Sequence, residues 1–240
     1  MVDRLDFGMP LVEAIGTQRA IRRLKTDPVD DEVVLCLIDL ALRAPTASNA
    51  QRWEFIVVRD PKIKRALARL NRQLWRLYAR IGRWATRHDA KRQRMLSAVQ
   101  WQADHFEEAP VIVVACLKGT YVPFLHVSSA SYFGSIFPAV QNLLLAARAV
   151  NLGAALTTIP LWNLLAMRRI LGLPWNITPC VVIPLGWPLG RYGPTTRRPV
   201  HEVVSFDRFG NRHAAFSRTR GMIASTTGGD RDHKQGRYHD

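Results

Sequence analysis

Seven apolar residues in a row, Val111–Leu117, stand between Pro110 and Gly119. A strand with polar alternation can turn one face to water; this one cannot, so it is expected to run centrally through a sheet, buried on both faces. Shorter apolar runs at Phe55–Val58 and Pro179–Gly186 read as further core strands, and Ala154–Ile159 as a short strand ending at Pro160. Between them the period changes to that of helices. Val33–Leu42 follows a helix-entry signal in which Asp30 is the N-cap and Asp31 and Glu32 fill the first turn. Lys64–His88 carries Leu67, Leu70, Leu74, Leu77, Ile81 and Trp84 at spacings of three and four, which predicts one continuous packed stripe. Further helices are predicted over Lys91–Glu107, Ser131–Val150 and Leu164–Leu171, with Gly153 capping the C-terminal end of the long Ser131–Val150 helix.

With 48% hydrophobic residues, 240 residues suffice for one large packed domain. Residues 1–210 are assigned to it, with 62–107 as a basic helical excursion. The polar, glycine-rich stretch 211–240 reads as a flexible tail. Cys36, Cys116 and Cys180 sit in apolar surroundings without metal-ligand spacing, so they read as buried thiols of a reducing compartment with no metal site. Met1–Pro10 lacks the apolar core of a signal peptide, and the longest apolar region is interrupted by Pro138, Gln141, Asn142 and Arg148. A cytoplasmic protein without a membrane span is expected.

The net charge of +15 is concentrated: twelve Lys or Arg against the single acid Asp89 between Lys62 and Arg94. Arg69, Arg72, Arg76, Arg80, Arg83 and Arg87 form a stripe beside the apolar one. Such a stripe is a solvated helix face, a basic surface for anionic ligands, or a site for nucleic acid or an acidic partner.

Chemistry has few carriers here. No Ser-His-Asp, Cys-His or paired-carboxylate pattern occurs, nor a GxxxxGK phosphate loop. The loop Arg43–Trp53 is richer. Pro45 blocks helix continuation, and Thr46, Ser48, Asn49 and Gln51 crowd hydrogen-bonding groups into a stretch of little bulk. It reads either as an ordinary turn or as a place to bind something flat and polar. Upstream stands Gln18-Arg19-Ala20-Ile21-Arg22-Arg23-Leu24, in which Arg19 and Arg22 could point the same way on a helix start or tight turn; downstream stand Thr157-Thr158-Ile159-Pro160 and Arg197-Arg198-Pro199.

In this order and spacing the four segments resemble the nitroreductase family of flavin enzymes, over roughly residues 11 to 205. The Thr-Thr-Ile-Pro stretch and Pro184–Pro188 are similar to its reductive deiodinase branch. Gln18 and Ala20 depart from the family's usual Arg and Ser, and Thr195 from a usual base. The resemblance implies an α+β fold, a three-layer α-β-α sandwich around a mostly antiparallel sheet, and a homodimer formed through helices with shared active sites. It implies FMN as cofactor, NAD(P)H as electron donor and a small-molecule electron acceptor such as a nitroaromatic or quinone; dehalogenation is the alternative on the same fold. Arg19, Ala20, Arg22, Thr157, Thr158, Ile159 and Arg197 are then the cofactor-binding residues of one copy. Pro45, Thr46, Ala47 and Asn49 reach the cofactor from the other copy, and no side chain is assigned a catalytic role. Arg19 is left open between the phosphate and the edge of the flavin ring. The basic excursion becomes a lid over the flavin.

Overall fold

The computed structural model describes residues 7–85, 88–119 and 124–212. They divide into two compact units, one ending at Gly193 and one beginning at Pro194.

In the first unit β2 (Val111–Lys118) is the spine that its composition predicts: every residue from Val111 to Leu117 is at most 1% exposed. The sheet order is β1-β2-β4-β3, with β1 at Trp53–Val58, β4 at Ile177–Gly186 and β3 at Gly153–Ala154. Every pairing among the described strands is antiparallel. Period-two alternation then separates the layers. Val111, Val113, Ala115 and Leu117 face a cluster with Leu37 of α2 (Asp31–Ala41) and Leu143 of α6 (Phe137–Ala149). Ile112, Val114 and Cys116 face Leu67 of α3 (Pro61–Ala85) and Met167 of α7 (Leu164–Leu171). Helices therefore cover both faces, giving the α-β-α layering.

One bulge interrupts the ladder. Ala115 pairs with Val181 but Cys116 with Pro179, leaving Cys180 as an extra residue in β4. Cys180 and Val181, though adjacent, consequently join the same core cluster. The three cysteines are buried and free, as expected.

Five local expectations need correction. Ala154–Ile159 is not one strand: β3 holds only Gly153–Ala154, Thr157 makes an isolated bridge to Val182, and Ile159 opens a 3-10 helix. Asp30 stands at the N-cap of α2, but its side chain makes no capping hydrogen bond. The predicted Ser131–Val150 helix is two helices, α5 (His126–Gly134) and α6, with an elbow at Ser135–Ile136. Pro138 is the cause: lacking an N–H and crowding the preceding turn, it is tolerated only in the first turn of α6. Gly153 is not a cap. Asn151 takes the left-handed backbone at φ 60 after α6, while Gly153 lies in β3, where a Cβ would come within 2.7 Å of Ile21. Finally, the α3 stripe packs only at its start. Leu67 is fully buried, whereas Leu77, Ile81 and Trp84 are 55%, 59% and 73% exposed. Beyond the sheet the helix rotates a different line inward: Trp75 and Ala79, packed against Leu96 and Val99 of α4 (Ala90–Asp104). The Trp75 indole donates to Gln100 at 2.9 Å, and Arg72 leaves the basic stripe to pair with Glu107 at 2.7 Å. Arg69, Arg76, Arg80 and Arg83 remain exposed; Arg87 lies outside the described residues.

The second unit is described through Arg212. It contains a short 3-10 helix (Val200–Glu202), an Arg198–Glu202 ion pair at 3.1 Å and a turn closed by Phe206 donating to Asn211. The tail expected from residue 211 lies, from 213 onward, outside the described residues.

Candidate functional site

The loop after α2 is held in a conformation that side chains usually avoid. Ser48, Asn49 and Gln51 have φ of 52, 52 and 46, in the left-handed region, at a cost of about 1–3 kcal/mol per strained non-glycine residue. Local bonds offset part of that cost. Asn49 N–H donates to the Thr46 carbonyl at 3.1 Å, Gln51 N–H to Thr46 Oγ1 at 3.2 Å, and the Gln51 amide to Asn49 Oδ1 at 2.9 Å. The remaining restraint comes from the helix elbow. Ser135 Oγ accepts from Ala47 N–H at 3.1 Å and donates to the Ser131 carbonyl at 2.8 Å, while the Ser135 carbonyl accepts from the Trp53 indole at 2.7 Å. Because the elbow interrupts the helical ladder, that carbonyl is available to the loop. Pro45 and Ala47 are exposed, and Thr46 is half-buried.

Loop and α5 together enclose a cleft of about 250 Å³. Thr46, Ser48 and Arg52 line one wall, and Ser131, Tyr132 and Ser135 the other. The Tyr132 hydroxyl donates to the carbonyls of Leu117 and Gly119, at 3.1 and 3.2 Å, so its ring forms a fixed surface.

The arginine segment lies elsewhere. α1 (Leu11–Thr17) ends at Gln18, whose backbone is already extended, and the chain continues through Arg23 as neither the helix start nor the tight turn expected. Ile21 N–H donates to Ala154 O at 3.0 Å, and Leu24 bridges Pro188. Arg22 is half-buried, and no ion pair reaches it among the described residues. Burial, and then the neighbouring charge of Arg19, push its pKa down: a guanidinium short of a counter-charge. Arg19 and Ala20 are exposed.

Arg148 fixes the helix that leads into this segment. It is 6% exposed, donates to Thr17 Oγ1 at 2.8 Å and Asn151 Oδ1 at 2.9 Å, and lies over the Tyr192 ring at 4.1 Å.

Thr157 pairs with Val182 through two backbone bonds of 2.9 Å, on the same side of the sheet as β3. Thr158 is exposed, and Ile159 packs against the Trp75 cluster of α3. Arg197 belongs to the second unit, where its exposed guanidinium donates to Thr196 O at 3.0 Å.

Within one chain, then, the Arg19–Arg22 segment and Thr157–Ile159 share the β3 edge of the sheet. The Pro45–Asn49 loop enters at the diagonally opposite corner, where Trp53 of β1 pairs with Leu117. Three strand spacings and about six residues of rise separate Trp53 from Ala154, roughly 25 Å along the sheet. Ser135, Tyr132 and Arg52 were not among the residues that sequence pointed to. Pro138, inside an otherwise helical run, was the one available signal for the elbow that brings Ser135 to the loop.

Among the described residues no helix is long and apolar enough to cross a membrane, and no cluster of metal-ligating side chains occurs.

Comparison with known proteins agrees with this architecture. A family model described as "Nitroreductase family" matches residues 15–187. A Methanothermobacter thermautotrophicus protein named for NADH dehydrogenase and NAD(P)H nitroreductase activity is 29% identical over 184 residues, 75% of this chain and 78% of that protein. Iodotyrosine deiodinase 1 of Rattus norvegicus is 27% identical over 180 residues; the match spans 73% of this chain and 61% of the rat protein. Among solved structures, a nitroreductase-type protein of Desulfovibrio desulfuricans in complex with FMN superposes with a TM-score of 0.59 at 27% identity, over 84% of this chain and 98% of that one. With most of its length matched by the family model, on the fold described above, the chain belongs to the nitroreductase family.

Proposed function

We propose that this chain is an FMN-dependent oxidoreductase that takes hydride from NAD(P)H and passes it to an electron-poor small molecule, of the nitroaromatic or quinone type. The observation that carries the reading is Arg22: half-buried, beside Arg19, and without a carboxylate partner among the described residues. A phosphate dianion suits such a pair, because guanidinium groups meet phosphate through parallel charge-assisted hydrogen bonds. Arg197 of the second unit is assigned to the same phosphate by the family pattern. Bound FMN supplies the hydride chemistry, which needs no acid or base of the patterns absent from this sequence. The chain's own task is to orient the flavin and keep one face open. Thr157, Thr158 and Ile159 belong to the arginine side of that arrangement.

The loop Pro45, Thr46, Ala47 and Asn49 completes the site from a second copy. Two observations support this. Its corner of the sheet, at Trp53, is roughly 25 Å along the sheet from Ala154, to which the arginine segment is bonded through Ile21, and α1 leaves Leu11, Val12 and Ile15 more than half exposed, an apolar face suited to burial between copies. The exposed arginines of α3 stand ready for an anionic substrate or the phosphates of the donor.

Purified protein given FMN should turn yellow and sediment as a dimer. Arg22→Gln should weaken FMN binding by roughly ten- to a hundredfold, the worth of a charge-assisted hydrogen bond, read by flavin fluorescence titration. A protein that stays colourless with excess FMN overturns the reading. The similarity to a deiodinase supports a second reading, reductive dehalogenation. Turnover of a halogenated phenol in preference to a nitroaromatic would select it.

A further inference from the structure

The cleft beside the loop has a chemistry of its own. Among the described residues its lining contains one charged residue, Arg52, and no carboxylate; the rest are Ser, Thr, Ala, Tyr and Leu. The nearest acid along β1, Glu54, is committed to Lys118 at 2.6 Å. Among the described residues Arg52 has no ion pair. The residue is exposed, with its backbone tied to the end of β2. Arg52 O accepts from Lys118 N–H at 2.8 Å, and the guanidinium lies across Gly119, where a Cβ would sit 3.2 Å from Arg52 Nη1. Gly119 has φ 92, so that position favours glycine for its backbone as well as for the space that the arginine occupies. Opposite stand the hydroxyl-bearing residues Ser128, Ser131 and Ser135 of α5 and the elbow.

An exposed guanidinium without an ion pair among the described residues, lying across Gly119 in a cleft otherwise lined by hydroxyl-bearing and small apolar residues, suits an anion, and specifically a planar carboxylate, which it meets with two parallel N–H donors. The size fits one substituted ring: a cavity of about 150 Å³ takes a benzene, and this cleft is about 250 Å³. We propose that Arg52 is the specificity-determining residue of this cleft and that it selects a small aromatic acceptor carrying a carboxylate. The identification of the ligand as an acceptor rests on the flavin reading above; the anion site itself does not.

The experiment is isothermal titration of the full-length protein, with and without FMN, using 4-nitrobenzoate and its uncharged methyl ester as matched probes. Wild-type protein should bind the acid at least tenfold more tightly than the ester. Arg52→Gln should bring that ratio to within about twofold of one while leaving ester binding and FMN affinity unchanged, and Arg52→Lys should fall between. Circular dichroism of the variants confirms folding. Equal binding of acid and ester by wild type, binding of neither, or an unchanged ratio in Arg52→Gln overturns the proposal. Loss of FMN in Arg52→Gln also overturns it, because Arg52 would then be a cofactor ligand. Acid-over-ester preference in a protein that takes up no FMN would sustain the anion site and sink the flavin reading, so the two failures are distinct.

Discussion

Ser135 shows how much one hydroxyl can organise. Its oxygen joins the loop N–H of Ala47 to the carbonyl of Ser131, on a residue only 8% exposed. Ser135→Ala should lower stability by about 1 kcal/mol in urea titration, the usual net value of one such bond, since the exposed Ala47 N–H can turn to water. An unchanged midpoint would mean that the loop holds its shape without the tie. At this scale the sequence reveals residue chemistry but not partnership. Thr46, Asn49 and Gln51 could be recognised from loop polarity, and Arg19 and Arg22 from their spacing within an ordered pattern. Ser135 could not, because its role depends on a neighbour 88 positions away. Arg52 was hidden for a related reason: its side chain acquires meaning only when Gly119 and α5 are folded against it.

Helix α3 makes the corresponding point for elements. A helical stripe in sequence states which residues could be buried together, not whether anything lies opposite them. Leu67 and Leu77 read alike, yet one is fully buried above the sheet and the other is 55% exposed past its edge. Leu67→Ala should therefore cost about 2–5 kcal/mol in thermal or denaturant unfolding, and Leu77→Ala under about 0.5 kcal/mol for the single chain. Comparable losses at both sites would show that the far half of α3 is covered in solution. The same limit explains the long predicted helix that proved to be two. Its apolar content was legible; the elbow needed Pro138 to be given more weight than the periodicity around it. Strand β2, by contrast, was fully legible, because seven consecutive apolar residues admit few environments.

Three buried groups make the fold sensitive to high pH. Burial pushes the thiols of Cys116 and Cys180 from 9.0 up to about 12, and the phenol of Tyr192 from 10.0 up to about 12. In each case the fold favours the protonated form. The resulting stability is complete below the unfolded pKa, near 9 for the thiols and 10 for the phenol, and is lost as pH rises toward about 12. Unfolding free energy should decline from pH 9 upward, by as much as about 1.4 kcal/mol per pH unit for each group concerned. Cys180→Ala should flatten that decline; an unaltered slope would show that the Cys180 thiol is not responsible. Family and layering were legible at this scale from the order of four short segments. The placement of the three segments of the first unit at opposite corners of the sheet was not, since it follows from strand order and not from spacing along the chain. The elbow between α5 and α6 adds a practical gift: the indole that touches it is a natural lamp. A guest that draws the elbow away from the loop pulls the Trp53 N–H from the Ser135 carbonyl, so binding of that kind should announce itself as a colour shift in ultraviolet emission, with no dye attached.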